Sequence, residues 1–451
     1  MAPDNAPAFE TLLKRYRRTN APVQVNFRRM VAFIKLGERA THLLHSYPAK
    51  LLTHIPHFFI NNELLSGPGD LVLDPFCGSG TVLVEALLAG RNAVGCDTNP
   101  LACLISRVKT SPVNSITVRE AANTVVRNAK NDRPVEVPSV VNLPYWFYPH
   151  VIRDLAKLRT EIRCTVKRAE SDFLLACLSR IIRRVSLADP RLSVPVKLRH
   201  DTYPPGHPSL ANTEARLSRL KHIDVLKEFL AVVQDNLARL EDFRSLMPAG
   251  VRARVLECGA QDLLGGDDSP VTRLLSNKTV QLIVTSPPYP GAQKYIRASS
   301  LNLGWLGLCG VTGLRALEDS NIGREHYRKA DYAIPEQSGL KTADRVIDQI
   351  RKSNPLRAHI VAHYLVEMRS AFHVLSRILC KGGHLVLICG NGQVCGRRFR
   401  TASFLTELAE EAGLAVRLWL RDEIHSRGLM TKRNTTASVI ASEYIIVLEK
   451  V

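Results

Sequence analysis

No stretch of this 451-residue chain is apolar for long enough to span a bilayer, and its N-terminus carries no apolar signal segment. These absences predict a cytoplasmic protein that contacts no membrane. The ten cysteines include no C-x-x-C pair, which argues against a zinc site and leads to the expectation of no metal. Several lie in apolar runs, such as Cys389 and Cys177, and read as small buried hydrophobes of a reducing compartment. Internal repeats and low-complexity tracts are absent too. Acid is in short supply: 42 Asp and Glu against 61 Lys and Arg leave a formal charge of +19. A surplus of that size favours a polyanionic partner, because each cation beside a phosphate releases a counterion.

What is present is an ordinary globular composition, 45% hydrophobic and 23% charged. The length suits two domains, or one domain with a large insertion. The basic run Lys14, Arg15, Arg17, Arg18 predicts a flexible arm or a first helix. Strand–turn–helix signals begin at Leu71-Val72-Leu73, pass through a glycine-rich turn at 74–80 and continue into a helix over Thr81–Ala89. A second strand over Asn92–Cys96 ends at Asp97. This opens a doubly wound sheet.

Residues 112–250 then read as helical, with periods over Val151–Val166, Ser171–Val185 and Asn212–Leu240. Strand patterns resume at Arg254–Glu257 and Val280–Val284, and an irregular charged segment covers about 311–358. A helix over Ala358–Leu379, a strand over His384–Ile388, a helix over Ala402–Ala412 and late strands over Ala415–Leu420 and Glu443–Leu448 complete the chain. The expected fold is an α/β sheet with a mostly helical insertion between its second and third strands. It divides as 1–111, 112–250 and 251–451.

Two strings carry chemistry. The first is Asp74-Pro75-Phe76-Cys77-Gly78-Ser79-Gly80-Thr81, followed by Asp97. Glycines after a strand let the backbone turn tightly against a ligand, and an acid ending the next strand can hold two ribose hydroxyls. The third glycine of a dinucleotide site is missing, which suits a nucleoside that carries no phosphate. The second string, Thr285-Ser286-Pro287-Pro288-Tyr289, follows an apolar strand, at the sheet edge where open α/β folds place ligands. Its prolines stiffen the loop and remove backbone donors, leaving carbonyls free to accept. Ser286 adds an acceptor and Tyr289 an aromatic face. An amine needs this setting, because its hydrogens must be held for its lone pair to point at an electrophile.

Together the strings resemble the S-adenosylmethionine-dependent DNA amino-methyltransferases, whose signatures D-P-F-x-G-S-G-T and [D/N/S]-P-P-[Y/F/W] match residues 74–81 and 286–289. The Thr-Ser-Pro-Pro-Tyr form is most similar to the branch that methylates N4 of cytosine. The N6-adenine branch more often has Asp. The resemblance implies a Rossmann-like class I methyltransferase sheet and S-adenosyl-L-methionine as cofactor. It implies catalytic roles for Ser286, Pro287, Pro288 and Tyr289. It also implies cofactor contacts from Tyr47, Pro48, Asp74, Pro75, Phe76, Gly78, Ser79, Gly80, Thr81, Asp97 and Asp262, with Cys389–Gly392 walling the base pocket. The partner implied is double-stranded DNA with a flipped base, together with a cognate restriction or defence system. Basic residues Arg183, Arg184, Arg397, Arg427, Lys432 and Arg433 are the expected DNA contacts. N6-adenine methylation, methylation of an RNA amine, and a catalytically silent binding protein of the same fold are the alternatives. A 5-methylcytosine enzyme is excluded, since its Pro-Cys nucleophile occurs nowhere in the chain.

Overall fold

The computed structural model describes residues 3–31, 39–48, 50–131, 133–138, 142–265, 270–277, 279–291, 295–309, 313–424 and 442–451. Its strands are β1 (Val23–Val25), β2 (Leu71–Asp74), β3 (Asn92–Asp97), β4 (Ala253–Glu257), β5 (Val280–Thr285), β6 (Leu379–Gly390), β7 (Gly392–Val394), β8 (Arg397–Phe399), β9 (Leu414–Glu423) and β10 (Ser442–Lys450). Eight of them form one sheet in the order β1-β9-β10-β6-β5-β2-β3-β4, and β7 and β8 pair as a separate hairpin. From β6 to β4 the pairings are parallel, while β10 runs antiparallel to both β6 and β9. This is the expected Rossmann-like methyltransferase sheet.

Parallel strands covered on both faces must be apolar throughout. All four residues of β2 are buried, as are all but Gln281 of β5. That is why the central strands stand out as short apolar runs. The edge strand β1 alternates buried, exposed, buried over only three residues, too short for a period to register. It pairs with β9, from Val23 beside Leu420 to Val25 beside Asp422. The basic N-terminal segment forms a helix over Ala6–Thr19, whose Phe9 and Leu12 are buried.

The insertion between β3 and β4 is helical. Its longest helices are Pro149–Thr165, Arg168–Val185 and Val225–Leu246. One continuous apolar cluster joins them to the sheet-flanking helix Pro100–Thr110 and to helix Tyr295–Leu306. Two local expectations need correction. The single helical period over 212–240 is two helices, Leu210–Lys221 and Val225–Leu246. The break falls where the Asp224 side chain accepts from Lys227 N at 3.0 Å and starts a new helix. The segment 311–358 is not wholly irregular, since Gly313–Asp319 and Lys341–Arg351 are helical. Among the described residues, no helix is long and apolar enough to cross a membrane.

Candidate active site

The site is assembled at the C-terminal ends of β2, β3, β4 and β5. After Asp74 the chain turns through Pro75–Gly80 into helix Thr81–Leu88. Gly78 and Gly80 hold φ angles of +48° and +76°, which glycine adopts without steric cost. At Gly80 the space is also closed, because a Cβ there would lie 2.9 Å from Ser106 Oγ. The turn is tied from behind by Ser106 Oγ, which donates to Gly78 O at 2.8 Å.

Asp97, at the end of β3, faces this turn. Its carboxylate accepts from Gly78 N at 3.0 Å and from Asn99 N at 2.8 Å. Burial pushes the group up to about 6 despite these donors. Asn99 Nδ2 donates onward to Tyr47 Oη at 3.0 Å. The N-terminal segment, the glycine turn and the end of β3 are thus one hydrogen-bonded cluster.

Asp74 plays a different part. Its Oδ1 accepts from Phe76 N at 3.1 Å and from Thr285 Oγ1 at 2.7 Å. Burial pushes this carboxyl up to about 7. Because Thr285 precedes Ser286, the bond ties the glycine turn to the proline loop.

A buried ionic knot anchors the segment that leads to Tyr47. Glu85 has 0% exposure and lies 2.6 Å from Arg39 Nη2, 2.7 Å from His42 Nε2 and 2.8 Å from His57 Nδ1. Burial alone would raise its carboxyl, but the two histidines and Arg39 outweigh it and hold the group well below the usual carboxylate range. Lys50 Nζ closes the segment by donating to His42 O at 2.9 Å.

These elements enclose a cavity of about 950 Å³, counting its open mouth. Tyr47, Pro48, Asp74, Pro75, Phe76, Gly78, Ser79, Thr81 and Asp97 line it together with Ser286, Pro287, Pro288 and Tyr289. Gly80 turns the backbone behind the wall. Asp262 is exposed and does not line the cavity; its neighbour Gln261 does. The short 3-10 turn Ala260–Asp262 after β4 is what separates the two directions. The strand end at Gly390–Gly392 stays outside as well, where Asn391 Oδ1 accepts from Ala402 N at 3.0 Å.

Several lining residues escaped the sequence reading, among them Asn99, Gln261, Tyr295 and Asn321. Only the polar character of Asn99, two residues after Asp97, offered a signal.

A family model described as DNA methylase matches residues 30–107, the segment that carries Tyr47, the glycine turn and Asp97. The Type II methyltransferase M.MvaI of Kocuria varians is 22% identical over 439 residues, 91% of this chain and 91% of that protein. The chain is therefore similar to DNA amino-methyltransferases, through residues 30–107 and, at low identity, along most of its length. Its cofactor is S-adenosyl-L-methionine.

Two shorter similarities are to proteins of Methanocaldococcus jannaschii. The Type II methyltransferase M.MjaII is 38% identical over 83 residues, 18% of this chain and 15% of that protein. A tRNA (guanine(10)-N2)-dimethyltransferase is 41% identical over 51 residues, 11% of this chain and 14% of that protein.

The expected DNA contacts separate into distinct settings. Arg183 is turned inward, donating to Leu192 O and Ser193 O at 2.7 Å each and to Asp189 O at 3.3 Å. Arg184 is exposed, with Nη1 3.9 Å from Glu228 Oε2. Arg397 is exposed on the β7–β8 hairpin. Arg427, Lys432 and Arg433 lie outside the described residues. A second cavity, of about 1440 Å³ with its mouth, backs onto Tyr47 and Pro48 from the insertion side. Arg180, Arg183, Arg184, Arg216 and Arg239 line it, and the last two were not singled out by sequence.

Proposed function

We propose that this chain transfers a methyl group to the N4 amine of cytosine in double-stranded DNA, on a base flipped out of the helix. The observation that carries the reading is that one cavity brings together the Asp74–Thr81 turn, Asp97 and the Ser286–Tyr289 loop.

The cavity fits the cofactor. Ser79 Oγ and Gln261 Oε1 line it, are buried and have no protein partner, so polar ligand atoms have groups to meet. Asp97 would hold the ribose hydroxyls, and Tyr47, Pro48, Phe76 and the glycine turn would enclose the rest. S-adenosylmethionine, when bound, supplies an electrophilic methyl group. The chain's own task is orientation. Ser286 Oγ and the Pro287 carbonyl accept the amine's hydrogens and draw its lone pair out of conjugation with the ring. They also stabilise the positive charge that grows on nitrogen during transfer. Tyr289 stacks on the flipped base. No covalent intermediate is needed, which agrees with a cavity whose one cysteine in the turn, Cys77, is held protonated by burial.

The choice of cytosine rests on the resemblance of Thr285–Tyr289 to the N4-cytosine branch. DNA is supported by the family resemblance and by the net charge, with Arg184, Arg239 and Arg397 offered to the backbone. A relative named as a Type II methyltransferase supports a cognate restriction or defence system.

Mass spectrometry of nucleosides from DNA of cells expressing the protein tests the reading. N4-methylcytosine is expected. N6-methyladenine alone overturns the base. Modification confined to RNA overturns the DNA substrate, a reading that the tRNA-modifying relative keeps in view. Failure to bind S-adenosylmethionine in calorimetry would leave a silent protein of the same fold.

A further inference from the structure

Away from the cavity, the helix Pro355–Ile378 carries His359, His363 and Glu367 at four-residue spacing, one above another on a single face. The extended stretch before helix Lys341–Arg351 brings Glu336 against them. Glu336 Oε1 and Oε2 lie 3.0 and 3.1 Å from His363 Nδ1, and Oε2 lies 3.2 Å from His359 Nδ1. One ligand atom from each of the three residues falls within 4.8 Å of the others.

These separations fit a coordination sphere as well as they fit hydrogen bonds. A tetrahedral zinc with bonds of about 2.0–2.1 Å keeps its ligand atoms about 3.3 Å apart. His359 is 7% exposed, and neither of its ring nitrogens has a hydrogen-bond partner, although Nδ1 faces the Glu336 carboxylate. Buried polar atoms left unpaired in this way call for a missing partner. The far side of the second imidazole is prepared as well. His363 Nε2 lies 3.6 Å from Glu367 Oε1, the carboxylate–histidine arrangement that orients metal-ligating imidazoles.

We propose that Glu336, His359 and His363 bind one divalent ion of the zinc class. Two imidazoles and a carboxylate are a borderline donor set that suits zinc. The partial exposure of Glu336 and His363 leaves the fourth position to water. Cysteine spacing gives no hint of such a site, which is why the sequence argued against a metal.

The ion staples the stretch around Glu336 to the long helix. From there the restraint reaches the substrate loop. Glu367 Oε2 accepts from Gly323 N at 3.2 Å, and Gly323 O accepts from Gly291 N at 2.9 Å, two residues beyond Tyr289. Asn321 and Ile322, next to Gly323, line the active cavity. The ion therefore acts as a positioning element for the wall that faces the base, without contacting it.

The test uses the full-length protein, stripped with chelator, dialysed and titrated with zinc chloride by calorimetry, alongside metal analysis of the protein as purified. One saturable zinc per chain and a melting temperature that rises with zinc concentration are expected. His363→Ala and Glu336→Gln should each lower zinc affinity by at least about 100-fold, the upper end of what loss of an outer-shell partner alone costs. Glu367→Gln should lower it by about 10- to 100-fold. The proposal is overturned if the folded wild-type protein shows no saturable zinc binding. It is equally overturned if folded Glu336→Gln binds zinc as tightly as wild type, which would place the ion elsewhere. Should His363→Ala fail to fold, the wild-type titration and Glu336→Gln still decide.

Discussion

Thr285 Oγ1 donates to Asp74 Oδ1 at 2.7 Å, and this one bond joins the Asp74–Thr81 turn, proposed to hold the cofactor, to the Ser286–Tyr289 loop, proposed to receive the base. The two residues are 211 positions apart in the chain and sit at the ends of adjacent parallel strands. Both are buried. Methyl transfer needs donor and acceptor held in register, and a short bond between the two loops is a direct way to hold it.

Thr285→Val keeps the shape and removes the donor. The buried Asp74 carboxyl then loses a partner, at a cost of about 1–3 kcal/mol in stability. Asp74 is already raised to about 7 by burial, so its protonated form is the one the fold favours. Its stabilising contribution is present below the unfolded carboxyl value and is lost as pH rises through about 7. Urea unfolding of the variant should therefore show a larger deficit at pH 8 than at pH 5. Equal deficits at both would remove Asp74 from the explanation.

Asp97→Ala should weaken S-adenosylmethionine binding by about 1–3 kcal/mol, the scale of hydrogen bonds to a charged group. The wild-type affinity should also depend on pH. An ionised carboxylate accepts from ribose hydroxyls, and protonation as pH falls through about 6 takes that acceptor away. Below that point affinity should fall by up to about tenfold per pH unit. Asp97→Asn should flatten the profile. Calorimetry between pH 8 and pH 5 reads both effects, and a flat wild-type curve would remove the ribose role.

Ser286→Ala and Tyr289→Ala should each reduce turnover far more than they reduce cofactor affinity. Orientation of the amine acts on the transition state, whereas cofactor binding precedes it. Single-turnover methylation assays beside cofactor titrations separate the two. A loss confined to cofactor affinity would reassign both residues to the cofactor side.

Arg183 and Arg184 are neighbours with opposite assignments. Arg183→Glu should lower the melting temperature, because it strands the carbonyls of Leu192 and Ser193 and places a carboxylate among them. Arg184→Glu, like Arg397→Glu, should leave the fold intact, weaken DNA binding and reduce the salt slope by about one for each phosphate no longer neutralised. Unchanged slopes in folded Arg184→Glu and Arg397→Glu would move the DNA surface elsewhere.

Lys109 has 0% exposure and its Nζ has no partner. Burial, with the charge of Lys50 second, holds its ammonium well below the ordinary lysine value. A group depressed in the folded state contributes stability above its unfolded value and loses it as pH falls, so at neutral pH this lysine opposes folding. Lys109→Met should raise stability by about 1–4 kcal/mol, the range for replacing buried charged groups by apolar ones of similar volume. Thermal melts at pH 7.5 check it. A lower melting temperature would show that Lys109 has a role beyond packing.

Much of this molecule was legible in one dimension because its central strands are buried on both faces and its ligand turn needs glycine. The runs at 71–73 and 280–284 announce themselves through continuous apolarity. Gly78 and Gly80 announce the turn, since their left-handed backbone admits little else. Edge strand β1 was not legible, because three residues pair by courtesy of β9 and not by their own pattern. The break at Asp224 was hidden for a similar reason. A cap in the middle of an apolar helical period looks like one more polar position on an exposed face.

The sequence by itself determined the sheet class, the glycine turn after β2 and the place of the Ser286–Tyr289 loop at a strand end, because each is a local string whose spacing is set by backbone geometry. Only the tertiary structure decided which groups meet. It paired Thr285 with Asp74, sent Arg183 inward, put Gln261 on the cavity wall in place of Asp262, and brought Glu336 to His359 and His363. Those partners come from separate elements, and their distances are set by how sheet and helices pack, a quantity that no local spacing encodes.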